Sequence, residues 1–209
     1  MYKTEQENFW AESFGNEYIQ RNQGESLLAS NLNFFSKSLA MAGKLNSCIE
    51  FGANIGMNLK ALKMLYPSIN LKGIEINKQA AEELGQVIGI ENVINSSIFD
   101  INVNQKADIS LIKGVLIHIN PSMLDLVYQK LYDASNSYIL IAEYYNPTPV
   151  TISYRGHDDR LFKRDFAGEF LKKFNDTILI DYGFSYRNDI AFPQDDITWF
   201  LIKKNKKWI

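Results

Sequence analysis

The chain has 209 residues, of which 46% are hydrophobic and 22% are charged, and its formal net charge is −2. This length and composition are typical of one soluble globular domain that buries a sizeable core. No apolar run approaches the ~18 residues needed to cross a bilayer, and the near-neutral charge excludes a global electrostatic footprint for nucleic acid.

The first residues and the cysteine content indicate the compartment. The opening segment MYKTEQENFW has no charged stretch followed by an apolar one, so we expect no export signal. The single cysteine, Cys48, excludes an internal disulfide and a cysteine-based metal site. We therefore expect a cytoplasmic protein.

Residues 1–44 are predicted to form an N-terminal helical cap. Thr4 followed by Glu7 is the signature of a capping box, in which two side-chain-to-backbone bonds start a helix. Apolar residues then recur at helical spacing in two runs, the second of which ends near Gly43. Two amphipathic helices are therefore expected.

From residue 45 to residue 209, short apolar strands alternate with helices. Such alternation predicts a parallel sheet with helices on both faces and right-handed crossovers, within a single domain. The last two strands have no helix between them, which predicts an antiparallel pair at one edge. The predicted strands lie at 47–51, 71–76, 92–95, 108–113, 137–143, 178–186 and 197–203, and the predicted helices at 57–66, 78–88, 122–134 and 164–174.

The connection 144–163, YYNPTPVTISYRGHDDRLFK, is too long for an ordinary crossover loop. Such loops usually have about 2–6 residues, and longer ones are usually functional or disordered. Because this segment is rich in aromatic and charged residues, we predict an ordered functional loop that acts as a lid or wall.

The sharpest motif is CIEFGANIGMN, at 48–58, where the first strand meets a helix. Gly52 and Gly56 let the backbone turn tightly and approach a ligand closely. Asn54 replaces the second glycine of the dinucleotide fingerprint, and no Gly-Lys-Ser/Thr follows, so neither that pattern nor a P-loop is matched. Glu50 instead suits a cationic group such as an amine or a sulfonium. The alternative is a simple strand-to-helix turn with an incidental glutamate.

Two further loops are expected at the same edge of the sheet, where open α/β folds bind ligands. Glu75 ends the second strand, and a carboxylate there can accept both hydroxyls of a ribose. After the third strand, an adenine ring could lie against Ile98 and form a hydrogen bond near Ser97. The three loops together fit an adenosine that carries a positively charged tail.

This constellation resembles the class I S-adenosylmethionine-dependent methyltransferases, over about residues 45–209. The strand ISLIKGVLIHINP resembles that family's fourth strand, with Lys113 and Gly114 beside the methionine end of the cofactor. At the end of the first helix, Tyr18, Arg21 and Asn22 would cover that end. The chain departs from the family at Ser97, where many members carry an acid that binds the adenine amino group.

The resemblance implies an α/β, Rossmann-like fold. Its seven-stranded, mostly parallel sheet would have an antiparallel last strand, helices on both faces and the N-terminal helical cap. The implied cofactor is S-adenosyl-L-methionine, with S-adenosyl-L-homocysteine as the product. The cofactor site would comprise Glu50, Gly52, Asn54, Gly56, Glu75, Ile76, Ser97, Ile98, Lys113 and Gly114.

A narrower resemblance covers nearly the whole chain. The strings TEQENFWAESFGNEYIQRN, KGVLIHINP, YILIAEYYNPTPV, YRGHDDRLFKRDFAGE and FPQDDITWFL look like the methyltransferases associated with pseudaminic acid biosynthesis. That resemblance implies a nonulosonic-acid-type sugar, or its nucleotide-activated form, as the methyl acceptor. The pathway context would be bacterial flagellin glycosylation or surface-glycan synthesis.

Three side chains are candidates for catalysis: His118, Glu143 and His157. A hydroxyl acceptor benefits from a general base, whereas an amine needs only to arrive unprotonated. Each candidate also has a structural alternative. His118 can orient the loop before Pro121, Glu143 can bind a loop backbone, and His157 can be a solvated loop residue.

The long loop also supplies candidate acceptor-binding residues. Arg155, Arg160 and Arg164 suit an anionic sugar, because guanidinium groups bind carboxylate or phosphate in bidentate geometry. Tyr144 and Tyr145 can stack on sugar faces. The alternatives are salt bridges to acids of the same segment for the arginines and simple packing for the tyrosines.

No metal is predicted, because Asp195 and Asp196 lack a second ligand cluster. The expected partner is a small anionic sugar, with no nucleic acid and no membrane. Three other functions stay open: methylation of another small molecule or of a protein side chain, an NAD-dependent sugar oxidoreductase, and a non-catalytic interaction module. Binding of adenosyl ligands against NAD distinguishes among them.

Overall fold

The computed structural model describes residues 2–19, 24–102, 104–154 and 157–205, without the side chains at positions 13, 17, 154 and 157–160. The helices in these ranges are α1 (Glu5–Ala11), α2 (Ser13–Ile19), α3 (Glu25–Ser38), α4 (Met57–Leu65), α5 (Lys78–Ile88), α6 (Leu124–Ala134) and α7 (Phe166–Lys173). The strands are β1 (Ser47–Phe51), β2 (Asn70–Glu75), β3 (Val93–Asn95), β4 (Ala107–Lys113), β5 (Ser135–Glu143), β6 (Val150–Tyr154), β7 (His157–Lys163), β8 (Thr177–Phe184) and β9 (Thr198–Lys204). Short 3₁₀ turns lie at Ile90–Asn92, Leu116–His118 and Pro121–Met123.

Seven of the strands form one sheet in the order β3-β2-β1-β4-β5-β9-β8. The pairs among β1 to β5 are parallel, whereas β9 is antiparallel to both β5 and β8. This confirms the predicted mostly parallel sheet with an antiparallel last strand. The central strand β1 lies between β2 and β4, so the chain crosses over in opposite directions on its two sides. Open α/β sheets bind ligands at such a switch point, beyond the carboxyl ends of the strands.

Apolar side chains on the two faces of the sheet form separate core layers. In β1, Ile49 and Phe51 pack toward α6 and α7, whereas Cys48 packs toward α3, α4 and α5. Each layer is closed by the apolar side of its helices, which confirms the predicted helices on both faces. The predicted core elements all form, with ends displaced by at most two residues.

The N-terminal region contains three described helices instead of the two predicted. The capping box forms as expected, with Thr4 and Glu7 each bonded to the other's backbone. The first run then breaks at Glu12, and Gly15 of α2 packs so closely on α1 that an added Cβ would lie 2.0 Å from the Trp10 carbonyl oxygen. The helical spacing of the aromatic residues continues across this break, so periodicity alone did not reveal it.

Asn77, at the start of α5, attaches this region to the sheet. Its Oδ1 accepts from the Ala80 N–H at 2.9 Å and caps α5. Its Nδ2 donates to Asn16 Oδ1 at 2.8 Å and to the Ala11 carbonyl at 3.2 Å, which occupies a carbonyl left free at the end of α1. One amide therefore serves both the core helix and the cap.

We expect Asn77→Ala to lower the free energy of unfolding by about 2 kcal/mol, because it removes a helix cap and the docking bonds together. Asn77→Ser keeps a good capping oxygen but cannot reach the cap, so about half of the loss should remain. Urea denaturation of both variants measures the difference. A serine variant as stable as the parent would show that the docking bonds contribute nothing.

The connection 144–163, predicted as a loop, contains an antiparallel hairpin. β6 and β7 pair from Val150↔Lys163 to Tyr154↔His157 and form a separate two-stranded sheet. Leu161 and Phe162 of β7 are buried, whereas Val150 and Ile152 of β6 are exposed. Two prolines before β6 and a run of charges in β7 obscured the alternation that predicts strands.

Candidate functional site

A cavity of about 200 Å³ opens at the carboxyl ends of β1, β2, β3 and β4. Its floor comes from the loops that follow these strands, and its roof comes from α1, α2 and α3. The predicted site residues that line it are Tyr18, Gly52, Asn54, Glu75, Ile76, Ser97, Ile98, Lys113, Gly114 and His118. Glu50 and Gly56 lie beside the cavity without lining it.

The loop after β1 forms the centre of the floor. Its backbone has positive φ at Gly52 (+74°), Asn54 (+47°) and Gly56 (+85°). Glycine adopts this region without steric cost, and asparagine adopts it more easily than most residues. The amides of Gly52 and Ala53 both donate to the Ile74 carbonyl at 2.9 Å, which fixes the loop to β2.

Glu75 holds the same loop through its side chain. Oε2 accepts the Asn54 N–H at 2.7 Å, and Oε1 accepts the Asn77 N–H at 2.8 Å. The residue is 8% exposed, and burial raises the pKa of its carboxyl group although the backbone bonds oppose that shift. A carboxylate has about four acceptor positions. Both oxygens can therefore also accept a ligand hydroxyl from the cavity.

An acid and a base, Glu50 and Lys113, lie near each other at the β1 and β4 end of the site. Glu50 is fully buried, with Oε1 accepting from Asn58 Nδ2 at 2.6 Å and Oε2 lacking a partner among the described residues. Burial raises the pKa of Glu50 to about 8, although Asn58 and Lys113 lower it. Burial also lowers the pKa of Lys113, whose Nζ lies 5.3 Å from the Phe34 ring centroid. An acid and a base so placed suit the ammonium and carboxylate of an amino acid.

We expect an amino-acid-bearing adenosyl ligand to expel a proton from Glu50, because an ammonium favours the ionised carboxylate. With a pKa of about 8 in the free protein, Glu50 is mostly protonated at pH 7. Binding should therefore release nearly one proton at pH 7, and affinity should rise with pH up to about 8. Calorimetry of S-adenosylhomocysteine in buffers of different ionisation enthalpy measures this release.

The control ligand is 5′-methylthioadenosine, which lacks the amino-acid portion and should leave Glu50 protonated. Glu50→Gln should abolish the release seen with S-adenosylhomocysteine. Equal proton release from the parent and this variant would show that the proton comes from another group.

Ser97, after β3, is bonded to the cap. Its hydroxyl donates to Glu7 Oε1 in a short hydrogen bond, and its oxygen accepts the Phe99 N–H at 3.0 Å. Glu7 is 7% exposed and lines the cavity. The hydroxyl proton of Ser97 is therefore already used by a carboxylate that the sequence had marked only as part of a capping box.

His118 lines the cavity opposite an aromatic part of the cap. Its ring centroid lies 4.6 Å from that of Trp10, and Trp10 in turn makes edge contacts with Phe14 and Tyr18. Trp10 Nε1 is buried without a hydrogen-bond partner among the described residues. Buried indole N–H groups usually have an acceptor, so Trp10 carries an unsatisfied donor among the described residues.

Glu143, at the end of β5, shapes the turn that carries His118. Its Oε1 accepts the Val115 N–H at 3.0 Å and the Leu116 N–H at 2.9 Å. Burial raises its pKa to about 7, although these backbone bonds lower it. Its Oε2 has no partner within the described ranges, and the residue does not line the cavity. This geometry matches the structural alternative given for Glu143 in the sequence analysis, in which it binds the backbone of a loop.

Three of the predicted acceptor-binding residues, Arg164, Tyr144 and Tyr145, lie outside the cavity lining. Arg164 Nε pairs with Glu169 Oε1 at 2.6 Å, Tyr144 lies under Lys163 Nζ at 5.1 Å, and Tyr145 is 42% exposed. Five other predicted residues cannot be placed. Arg155 falls outside the described residues, as do Arg21, Asn22 and the side chains of His157 and Arg160.

Several lining residues were missed by sequence reasoning: Glu7, Trp10, Asn31, Asn58 and Asn77. Asn58 and Asn77 stand two positions after Gly56 and Glu75, so proximity to the predicted motifs was an available signal. The three residues of the cap lie in amphipathic helices, where a side chain facing a cavity has the same periodicity as one facing the core.

The described residues contain no group of three histidine, cysteine, aspartate or glutamate side chains placed to hold a metal ion. Among the helices described, none has the length and apolar character to span a membrane.

No model of a known protein family matches the chain, and no curated protein matches it. Solved structures do match it in fold. The plantazolicin methyltransferase BpumL in complex with SAH is 15% identical with a TM-score of 0.66, over 96% of this chain and 94% of that one. Magnesium protoporphyrin IX methyltransferase (ChlM) from Synechocystis PCC 6803 with bound SAM is 12% identical with a TM-score of 0.66, over 98% of this chain and 99% of that one.

A third similar structure is the 1,6-didemethyltoxoflavin-N1-methyltransferase of Burkholderia thailandensis, with bound 1,6-didemethyltoxoflavin and S-adenosylhomocysteine. It is 12% identical with a TM-score of 0.70, over 96% of this chain and 87% of that one. These similarities span nearly the whole chain at low identity. They show that the chain has the Rossmann-like methyltransferase fold, as predicted.

Proposed function

We propose that the chain is an S-adenosylmethionine-dependent methyltransferase that acts on a small molecule. The observation that carries this proposal is the placement of Glu75. Its buried carboxylate lines the cavity, is fixed by two backbone amides, and keeps acceptor positions for two ribose hydroxyls. The fold supports the proposal, since the three similar structures described above were solved with SAM or SAH.

The residues present fit the cofactor along the whole cavity. Glu75 would bind the ribose, the apolar side chain of Ile98 would lie against the adenine, and the open backbone at Gly52 would lie under the sulfur. Glu50 and Lys113 would meet the ammonium and carboxylate of the methionine part, directly or through Asn58. When bound, S-adenosylmethionine supplies a methyl group on a positively charged sulfur.

The chain's own contribution to the reaction is positioning, exclusion of water and proton removal. The cap roofs the cavity with Trp10 and Tyr18, which keeps bulk water from the methyl group. A hydroxyl acceptor that received the methyl group would also have to lose its proton. His118 is the lining residue of this part of the cavity that can take it, and Glu143 fixes the turn on which it lies.

The proposed acceptor is a pseudaminic- or nonulosonic-acid-type sugar or its nucleotide-activated form, in bacterial flagellin or surface-glycan synthesis. The support is the resemblance of the five sequence strings quoted above. Residues 144–163, with Tyr144, Tyr145 and the arginines at 155, 160 and 164, would bind the anionic sugar, and His157 would be a second candidate base. A cytoplasmic site of action fits the single, buried, free Cys48.

The first experiment measures binding of S-adenosylmethionine and S-adenosylhomocysteine by calorimetry, with NAD and NADP as controls. We expect micromolar affinity for the adenosyl pair alone. A folded protein that binds neither would overturn the proposal and favour a non-catalytic interaction module, and binding of NAD would favour an oxidoreductase.

The second experiment uses methyl-labelled S-adenosylmethionine with a panel of acceptors. The panel contains nonulosonic acids, their nucleotide-activated forms, neutral sugars and a flagellin-derived lysine peptide. Label transfer to the anionic sugars supports the proposed acceptor. Transfer to the peptide, or to neutral sugars alone, would replace it while leaving the methyltransferase proposal intact.

A further inference from the structure

The carboxylate of Glu7 lies beside the position that the base of an adenosyl ligand would occupy. Glu7 lines the cavity together with Ser97 and Ile98, at the end of the site beyond the ribose-binding Glu75. It comes from α1, in the cap, and not from any loop of the sheet. Two buried acids therefore line the cavity, Glu75 from the core and Glu7 from the cap.

The hydrogen bonds of Glu7 leave one of its acceptor positions unused among the described residues. Oε2 accepts two backbone amides, from Lys3 at 2.6 Å and from Thr4 at 3.0 Å. Oε1 accepts one donor, the Ser97 hydroxyl. Because a carboxylate oxygen accepts two hydrogen bonds, Oε1 can take one more.

Ser97 keeps one acceptor position as well, but its hydroxyl is uncharged and is therefore the weaker acceptor for an amino group. Its proton is given to Glu7, and its oxygen already accepts the Phe99 N–H. The bond instead fixes the orientation of the Glu7 carboxylate, which is also held by the helix start. A fixed, buried, acceptor-only group selects ligands that present an N–H there.

We propose that Glu7 selects adenine by accepting a hydrogen bond from its exocyclic amino group, with Ser97 as the positioning residue. This inference rests on the proposed function, since it assumes an adenosyl ligand in the cavity. It assigns base recognition to the N-terminal cap, so the cap is part of the binding site as well as its roof. A hypoxanthine base carries a carbonyl oxygen at the same position. This oxygen and the carboxylate are both acceptors, so they would repel each other instead of forming a hydrogen bond.

The alternative role of Glu7 is purely structural, as the third helical residue of the capping box. Glutamine serves a capping box as well as glutamate does, so Glu7→Gln keeps the helix start. It also keeps the size of the side chain while adding a donor. The substitution therefore separates ligand selection from folding.

The test compares the affinities of S-adenosylhomocysteine and its deaminated form, S-inosylhomocysteine, by calorimetry. The parent protein should bind the adenine form about 10- to 100-fold more tightly, as expected for loss of a charge-assisted hydrogen bond. In Glu7→Gln this ratio should fall at least about 10-fold, because the new amide can donate to the carbonyl of hypoxanthine. Glu5→Gln is the matched control, since Glu5 is exposed on the same helix turn and should keep the parent ratio.

The affinity ratios decide between the two roles of Glu7. A collapsed ratio in Glu7→Gln with a parent-like ratio in Glu5→Gln supports the inference. Equal weakening of both ligands by Glu7→Gln, with the ratio unchanged, would show a structural role and overturn it. Failure of the parent to bind S-adenosylhomocysteine would overturn the proposed function and this inference together.

Discussion

Glu75→Gln should weaken the binding of S-adenosylhomocysteine about 100-fold, because it removes a charged acceptor from two ribose hydroxyls. In glutamine, an NH₂ group replaces one of the two carboxylate oxygens. That group cannot accept the backbone N–H that the oxygen now accepts, so one of the two hydrogen bonds would be lost. The loop after β1 would then lose one of its attachments. Calorimetric titration of the folded variant measures the loss.

Two controls make this result specific. Glu82→Gln removes an exposed acid from α5 and should leave affinity within about 2-fold of the parent. The 2′-deoxy form of the ligand should bind the parent weakly but should lose little further affinity in Glu75→Gln. If Glu75→Gln binds S-adenosylhomocysteine as tightly as the parent does, the ribose lies elsewhere. The placement of Glu75 would then no longer support the proposed function.

Gly52→Ala should lower the melting temperature by about 10 °C, an effect larger than that of most single substitutions. Gly52 has φ +74°, and an added Cβ would lie 2.6 Å from Val115 Cγ2. The variant therefore combines backbone strain with overpacking, for a total of about 3 kcal/mol. Val115 cannot move freely, because Glu143 accepts its backbone N–H at 3.0 Å.

Gly114→Ala separates the two contributions. Gly114 also has a positive φ, +67°, but an added Cβ would meet no atom within 4 Å. This variant should show the backbone strain alone, a loss of about 3 °C. If both variants melt at the same temperature, the contact with Val115 is not what requires glycine at position 52.

The sheet was predictable because its signals are local and repeated. Each parallel strand is a short apolar run that ends at a turn, and each crossover helix carries its own amphipathic pattern. The absence of a helix between β8 and β9 was enough to predict their antiparallel pairing. The hairpin β6–β7 was missed since prolines and charges interrupt its alternation, and its pairing depends on burial of Leu161 and Phe162.

The cofactor loops were predictable for a related reason. Glycines and acids at strand ends have few structural explanations, so Gly52, Glu75 and Lys113 were recognisable from type and position. The contribution of the cap was predicted only in part, through Tyr18, which lines the cavity. Glu7 and Trp10 lie in a helix whose pattern fits burial, and only the fold shows that the space they face is a cavity.

The position of β9 has a consequence for the order in which the molecule can be assembled. β9 is the last of the strands described along the chain, yet it lies between β5 and β8 and pairs with both. A growing chain that has emerged only as far as residue 197 therefore exposes two unpaired strand edges, one of them in the middle of the future sheet. Such edges are templates for association with other chains. During synthesis, these edges stay unpaired until residues 198–204 leave the ribosome and form β9.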